Sequence, residues 1–156
     1  MSTLQAQDLH GSWLLSEWRI DYPAARPAGA KEAGSHLSTW PFGRDAIGLL
    51  TYSHDGWMSA TMCWRARAPL SAASAMAADD ASKARSYQEY LAYTGRWRLQ
   101  GHSIVHDVEM SLNPTLIGTT QLREARIDGD VLALRATESQ GAGPARVHQI
   151  LWRRPT

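Results

Sequence analysis

His106 and Arg123 are the residues of this chain whose types and spacing could carry chemistry. Alternate side chains of a strand share a face, so a strand read over 103–112 puts His106 in an apolar row with Ile104, Val108, Met110 and Leu112. A turn at Asn113-Pro114 leads to a second strand, where Thr119, Gln121, Arg123, Ala125 and Ile127 form one row and Thr120, Leu122, Glu124 and Arg126 the other. The pattern leaves open which of these rows faces inward. If it is the row of Arg123, a cation and an imidazole share one interior. An unpaired buried charge is costly, so such a pair requires a wet cavity or a tight polar network.

An imidazole titrates near neutral pH, so His106 could move protons; in the alternative it hydrogen-bonds a neighbour and orders the core. Arg123 could hold a carboxylate, enolate or phenolate oxygen through its fork of donors, or simply pair with a carboxylate such as Glu17. Tyr93 joins them as a phenol donor at a cavity wall, and Tyr52 could do the same. His148 shares a row with Ile150 and Trp152 in the last strand and is a second inward histidine candidate. Trp13, Trp57, Trp64 and Trp97 would give flat walls for an aromatic or polyene ligand, and Thr119 and Gln121 would tune polarity beside Arg123. Each of these also has an ordinary structural role, as a core aromatic or a cross-strand polar pair.

Other chemistries lack their residues. There is no His-x-His, no His-Glu-x-x-His, no phosphate-binding glycine loop and no Gly-x-Ser-x-Gly elbow, so no metal, cofactor or nucleophilic triad is expected. Cys63 is the only cysteine, which excludes an intrachain disulfide. Sixteen basic residues balance fifteen acidic ones to a net charge of +1, without the concentrated basic face that phosphate backbones require. No long apolar run marks a membrane span or leader, and the expected compartment is the cytoplasm.

The elements that must position these residues follow from turns and alternation. A chain of 156 residues fits a single domain over 1–156. Strand one spans Gly11 to Ile20, with bulky residues on both faces, and Asp21 to Pro41 has the composition of a long loop, a candidate flap. Ala46 to Trp64 reads as a hairpin around Ser53-His54-Asp55-Gly56. A helix is expected near 79–92, plugging one end of the sheet structure. Strands follow over Tyr93–Leu99, Ser103–Leu112, Ile117–Ile127, Val131–Thr137 and Arg146–Arg153, with turns at Asp128-Gly129-Asp130 and Gln140 to Pro144. The predicted fold is mainly β, an eight-stranded antiparallel up-and-down barrel with one short helix closing an end. Such a barrel is filled by side chains or holds one small ligand.

In this order the residues resemble the lipocalin-like domain family, small calycin-type barrels of bacteria and fungi. The matching features are Gly11-Ser12-Trp13, Gly48-Leu49-Leu50-Thr51-Tyr52 followed by Asp55-Gly56, and Tyr93-Thr94-Gly95. They continue through Val105-His106, Asn113-Pro114, Gly118-Thr119-Thr120-Gln121-Leu122-Arg123, and Asp128-Gly129-Asp130 with Leu132 and Leu134. The resemblance implies a central cavity for a small, largely apolar or aromatic molecule. It leaves activity open, since such barrels include carriers as well as isomerases and cyclases of natural-product pathways.

Two functions therefore compete: a cofactor-free acid–base enzyme of isomerase, cyclase or dehydratase type using His106, Arg123 and Tyr93, and a non-catalytic carrier with the same pocket. An oligomer, such as a homodimer, whose barrel is filled by its own side chains and whose function lies on its surface is a third option. The expected outcome for His106→Gln is a folded protein in either leading case, with turnover abolished only if the barrel is an enzyme. Circular dichroism beside an activity assay checks this, and a variant that fails to fold would make His106 structural.

Overall fold

Short turns at Gly56, Gly101 and Gly129 join three successive pairs of strands and fix those strands as neighbours. A computed structural model of the chain describes residues 4–23, 37–70, 73–139 and 145–156. Its elements are α1 (Ala6–Leu9), β1 (Gly11–Tyr22), β2 (Leu37–Thr39), β3 (Ile47–Tyr52), β4 (Trp57–Cys63), α2 (Asp80–Gln88), β5 (Tyr90–Gln100), β6 (Ser103–Ser111), β7 (Thr120–Asp128), β8 (Val131–Glu138) and β9 (Arg146–Arg153). The turn after β3 needs Gly56 at φ +89°, and the turn after β7 needs Gly129 at φ +59°, conformations that residues with a Cβ rarely adopt. Every paired neighbour is antiparallel, and β1 pairs with β9 to shut the sheet. The fold is a closed eight-stranded antiparallel barrel of β1 and β3–β9, with β2 added against the end of β1. Closure removes the unpaired edges that an open sheet would present.

Two β-bulges decide which side chains face inward. In β1 the register against β9 slips between Leu15 and Glu17. Trp13 lies inside before the slip, and Trp18 and Ile20 lie inside after it, which explains why both faces of this segment look apolar in the sequence. In β6 the register against β5 slips between Val108 and Met110. Ile104, His106 and Val108 are buried, whereas Met110 is 55% exposed, so the sequence expectation of Met110 and Leu112 on the inner row is corrected beyond the bulge. In β7 the row of Gln121, Arg123, Ala125 and Ile127 is the inner one, with Leu122 exposed opposite.

The base of the barrel is sealed by α1. Leu9 is fully buried, its carbonyl accepts from Trp13 Nε1 at 2.9 Å, and the Arg154 guanidinium lies 3.7 Å from the Trp13 ring centre. Arg154 also donates to the carbonyls of His10 and Asp8, tying the residue after β9 to the segment before β1. Helix α2 is capped by Asp79, which accepts from the Ser82 amide, but it carries no buried residue. The helix expected over 79–92 is thus shorter and gives way to β5 at Tyr90. β1 and β2 claim both margins of the expected 21–41 loop; most of that loop, and the turn at Gln140 to Pro144, lie outside the described residues.

β5 and β6 approach closely at the second bulge because Gly95 has no side chain: a Cβ there would collide with the Asp107 carbonyl. Gly95→Ala is expected to lower stability by about 2 kcal/mol and the melting temperature by roughly 4–8 °C, read by thermal denaturation. Gly101→Ala, with open space around its Cβ and only the positive φ of +63° opposing it, should cost about 1 kcal/mol.

Candidate functional site

Opposite the sealed base the barrel encloses a cavity of about 570 Å³. Its walls are apolar where β1, β3, β4, β8 and β9 face it: Trp18, Ile20, Leu50, Ala60, Met62, Leu134, Ile150 and Trp152. Its polar side comes from β5, β6 and β7, which supply Tyr93, His106, Gln121 and Arg123. Glu138, Arg146 and His148 stand where β8 and β9 end at the mouth.

His106 is 1% exposed and bridges two tyrosines. The Tyr52 hydroxyl lies 2.8 Å from Nε2 and the Tyr93 hydroxyl 2.9 Å from Nδ1. Burial, reinforced by the nearby positive charge of Arg123, pushes the imidazole pKa down to about 3. The ring is therefore neutral across the physiological range, with one nitrogen donating and the other accepting. Burial also raises both phenols, Tyr52 well above its ordinary value, while Arg123 pulls each the other way. The three groups form an uncharged hydrogen-bonded chain across β3, β6 and β5.

Arg123 borders this chain. Its guanidinium donates to Leu122 O at 3.0 Å and to Gln121 Oε1 at 3.4 Å, and Gln121 in turn donates to Thr119 Oγ1 at 2.9 Å. Among the described residues no carboxylate lies within ion-pairing distance of it. Glu17, its candidate partner from sequence, instead accepts from Trp40 Nε1 at 3.0 Å.

At the mouth, Trp18 Nε1 donates to His148 Nδ1 at 3.2 Å, and an indole nitrogen can only donate. The His148 proton therefore sits on Nε2, 3.1 Å from Glu138 Oε2. Burial lowers the His148 pKa against the opposing pull of Glu138. Arg146 donates to the same carboxylate oxygen at 2.8 Å, which holds Glu138 below its ordinary range.

The structure thus gathers His106, Arg123, Tyr93, Gln121 and His148 around one cavity, with Tyr52 behind His106 and Thr119 behind Gln121. The four named tryptophans lie elsewhere. Trp13 packs in the sealed base; Trp97 donates to the Ser53 carbonyl at 2.9 Å and packs on Tyr52. Trp57 lies on the outer face under Arg96, whose guanidinium is 3.8 Å from the ring centre, because odd-numbered residues of β4 point outward. Trp64, past the end of β4, is 41% exposed. The tryptophans that do line the cavity, Trp18 and Trp152, are ones that sequence reasoning passed over. Trp152 shares a row with His148, a signal that was available, whereas the bulge hid Trp18. Glu138 and Arg146 face each other across the β8–β9 pairing, and only their opposite charges flank that hairpin in the sequence. Among the described residues no three His, Cys, Asp or Glu side chains converge as metal ligands, and no helix is long and apolar enough to cross a membrane.

A family model described as a lipocalin-like domain matches residues 10–155. The chain belongs to the lipocalin-like domain family. A curated relative, the 4'-hydroxy-3'-methoxypropiophenone carrier protein of Aspergillus oryzae, is 40% identical over 63 residues, covering 35% of this chain and 57% of that protein. No solved structure matches significantly. Family and fold agree on a small-molecule-binding barrel.

The depressed histidine gives this lipocalin-like barrel a definite acid response. An unfolded chain protonates its histidine near pH 6.5, whereas the folded one holds out to about 3, so stability is lost as pH falls through that window. Going from pH 7 to pH 5 is expected to cost about 2 kcal/mol from His106 alone, with His148 acting in the same direction. Urea denaturation at the two pH values measures it. His106→Gln should flatten the decline, and an unchanged decline in that variant would show that His106 is not its source.

Proposed function

We propose that the chain acts as one barrel domain that binds and carries a small, flat, largely apolar molecule in the cavity between β1, β4, β6, β7 and β9, with a polar handle directed toward Tyr93 and Arg123. The observation that carries this reading is an apolar cavity of about 570 Å³ whose polar side is built from a neutral, internally bonded tyrosine–histidine–tyrosine chain. A volume of that order matches ordinary small-ligand pockets. The relative from Aspergillus oryzae is named a carrier of an aromatic ketone, and a ligand of similar size and flatness fits walls made by Trp18, Trp152, Leu50 and Ile150. We assign the carrier to the cytoplasm, where the lone thiol of Cys63 would stay reduced.

The acid–base reading keeps one specific support: a hydroxyl–imidazole–hydroxyl chain can pass protons by exchanging donors and acceptors. A proton given up by Tyr93 would be replaced from His106 and then from Tyr52, whose buried phenol resists ionisation. Among the described residues Tyr52 has no further partner from which to recover a proton. The relay ends there, so the chain is better suited to holding a ligand than to turning it over, and carrier is the reading favoured over isomerase or cyclase.

Protein purified from its own host is expected to show a stoichiometric small molecule by native mass spectrometry, released unchanged after prolonged incubation. Trp18 and Trp152 should report rebinding of aromatic ligands by fluorescence. Ala136→Trp, which narrows the mouth, should weaken that rebinding roughly tenfold or more. Conversion of the released compound on incubation would instead establish turnover.

A further inference from the structure

The bound hydroxyls fix the direction of every proton around His106, and the direction has a consequence for the ligand. Tyr52 is fully buried, and among the described residues its hydroxyl meets no partner except His106 Nε2. If Nε2 carried the ring proton, the Tyr52 hydrogen would be buried without an acceptor, a loss of a full hydrogen bond. Tyr52 therefore donates to Nε2, and the ring proton resides on Nδ1. Nδ1 then donates to the Tyr93 oxygen, 2.9 Å away, so Tyr93 is an acceptor within the chain and its own O–H is left for the cavity it lines. Beside it stands Arg123, a group with donors only, which bonds the Tyr93 oxygen, the Gln121 side-chain amide and a backbone carbonyl but no carboxylate among the described residues.

The nearby carboxylates are engaged elsewhere. Asp107 binds Arg98 and Thr120, Glu124 binds Arg135, and Glu138 binds Arg146 and His148. Trp152, another cavity-lining residue, has a buried indole N–H with no acceptor among the described residues. The polar side of the cavity thus offers donors and a positive charge that no carboxylate among the described residues pairs with.

We propose that this side is an anion-receiving site: the ligand carries a carboxylate or ionised phenol oxygen that accepts from Tyr93 Oη and Arg123 while its apolar body fills the barrel. The inference rests on the binding-barrel reading above and names the polar group of the ligand that the barrel takes. Tyr93 and Arg123 become the residues that set specificity, Tyr52 and His106 the positioning residues that aim the Tyr93 proton.

The test uses 2-naphthoate, 2-naphthalenemethanol and naphthalene as probes with the full chain, read by tryptophan fluorescence and equilibrium dialysis at pH 7.5. Wild type is expected to bind the acid roughly tenfold more tightly than the alcohol, the scale of one charge-assisted hydrogen bond. Arg123→Gln should remove that preference, and Tyr93→Phe should reduce it about threefold. Equal affinity for acid and alcohol in the wild type, or a preference that survives Arg123→Gln, overturns the anion site while binding of naphthalene still upholds the barrel reading. Failure of all three probes to bind overturns both. The wild-type comparison decides the matter even if a variant does not fold.

Discussion

A neutral imidazole has one hydrogen to give and one lone pair to receive with, and in this barrel both are used inside the wall. The Tyr52–His106–Tyr93 chain crosses three strands, so it exists only when β3, β5 and β6 hold their register. β5 and β6 meet over Gly95, where any side chain would push the strands apart, and the bulge beside it ends the inward row of β6 after Val108. The cost of burying three polar side chains is offset because each finds a partner, and the low-dielectric surroundings strengthen bonds between groups that remain uncharged.

The two ends of the molecule divide the remaining work. At the base, indole and guanidinium pack against α1, and the Trp13, Trp97 and Tyr52 rings fill the space below His106. At the mouth, charged and titratable groups replace the rings: Glu138 receives from Arg146 and His148, and His148 receives from Trp18. Between them lies an interior that is apolar except on the β5–β7 side. This polarity gradient, more than the chain's even charge balance, defines what the barrel can hold.

Turns and alternation were enough to read the architecture from the sequence. Asp55-Gly56 and Asp128-Gly129 announce hairpins because their glycines take positive φ, and successive strands with short connections lead to an antiparallel barrel. The inward facing of His106 was likewise legible. Facing failed at the bulges, where one extra residue reverses the parity of everything beyond it: Met110 turns outward, and Trp18 joins Trp13 inside. Nothing in residue type marks Ser16 or Glu109 as the extra one. Trp57 shows a different limit, since a tryptophan covered by the arm of Arg96 on an outer face reads in sequence like one on an inner wall.

The seam between β1 and β9 also sets a timetable. Trp18 and His148 are 130 residues apart in the chain yet bonded across that seam. During synthesis β1 emerges early and its partner edge waits, unpaired, until Arg146–Arg153 leaves the ribosome. The cavity can acquire its far wall only then, because Ile150 and Trp152 belong to the closing strand. The cavity is therefore complete only after β9 has emerged and paired, and during the interval the open edges of β1 and β8 are where a nascent chain would meet chaperones or another copy of itself.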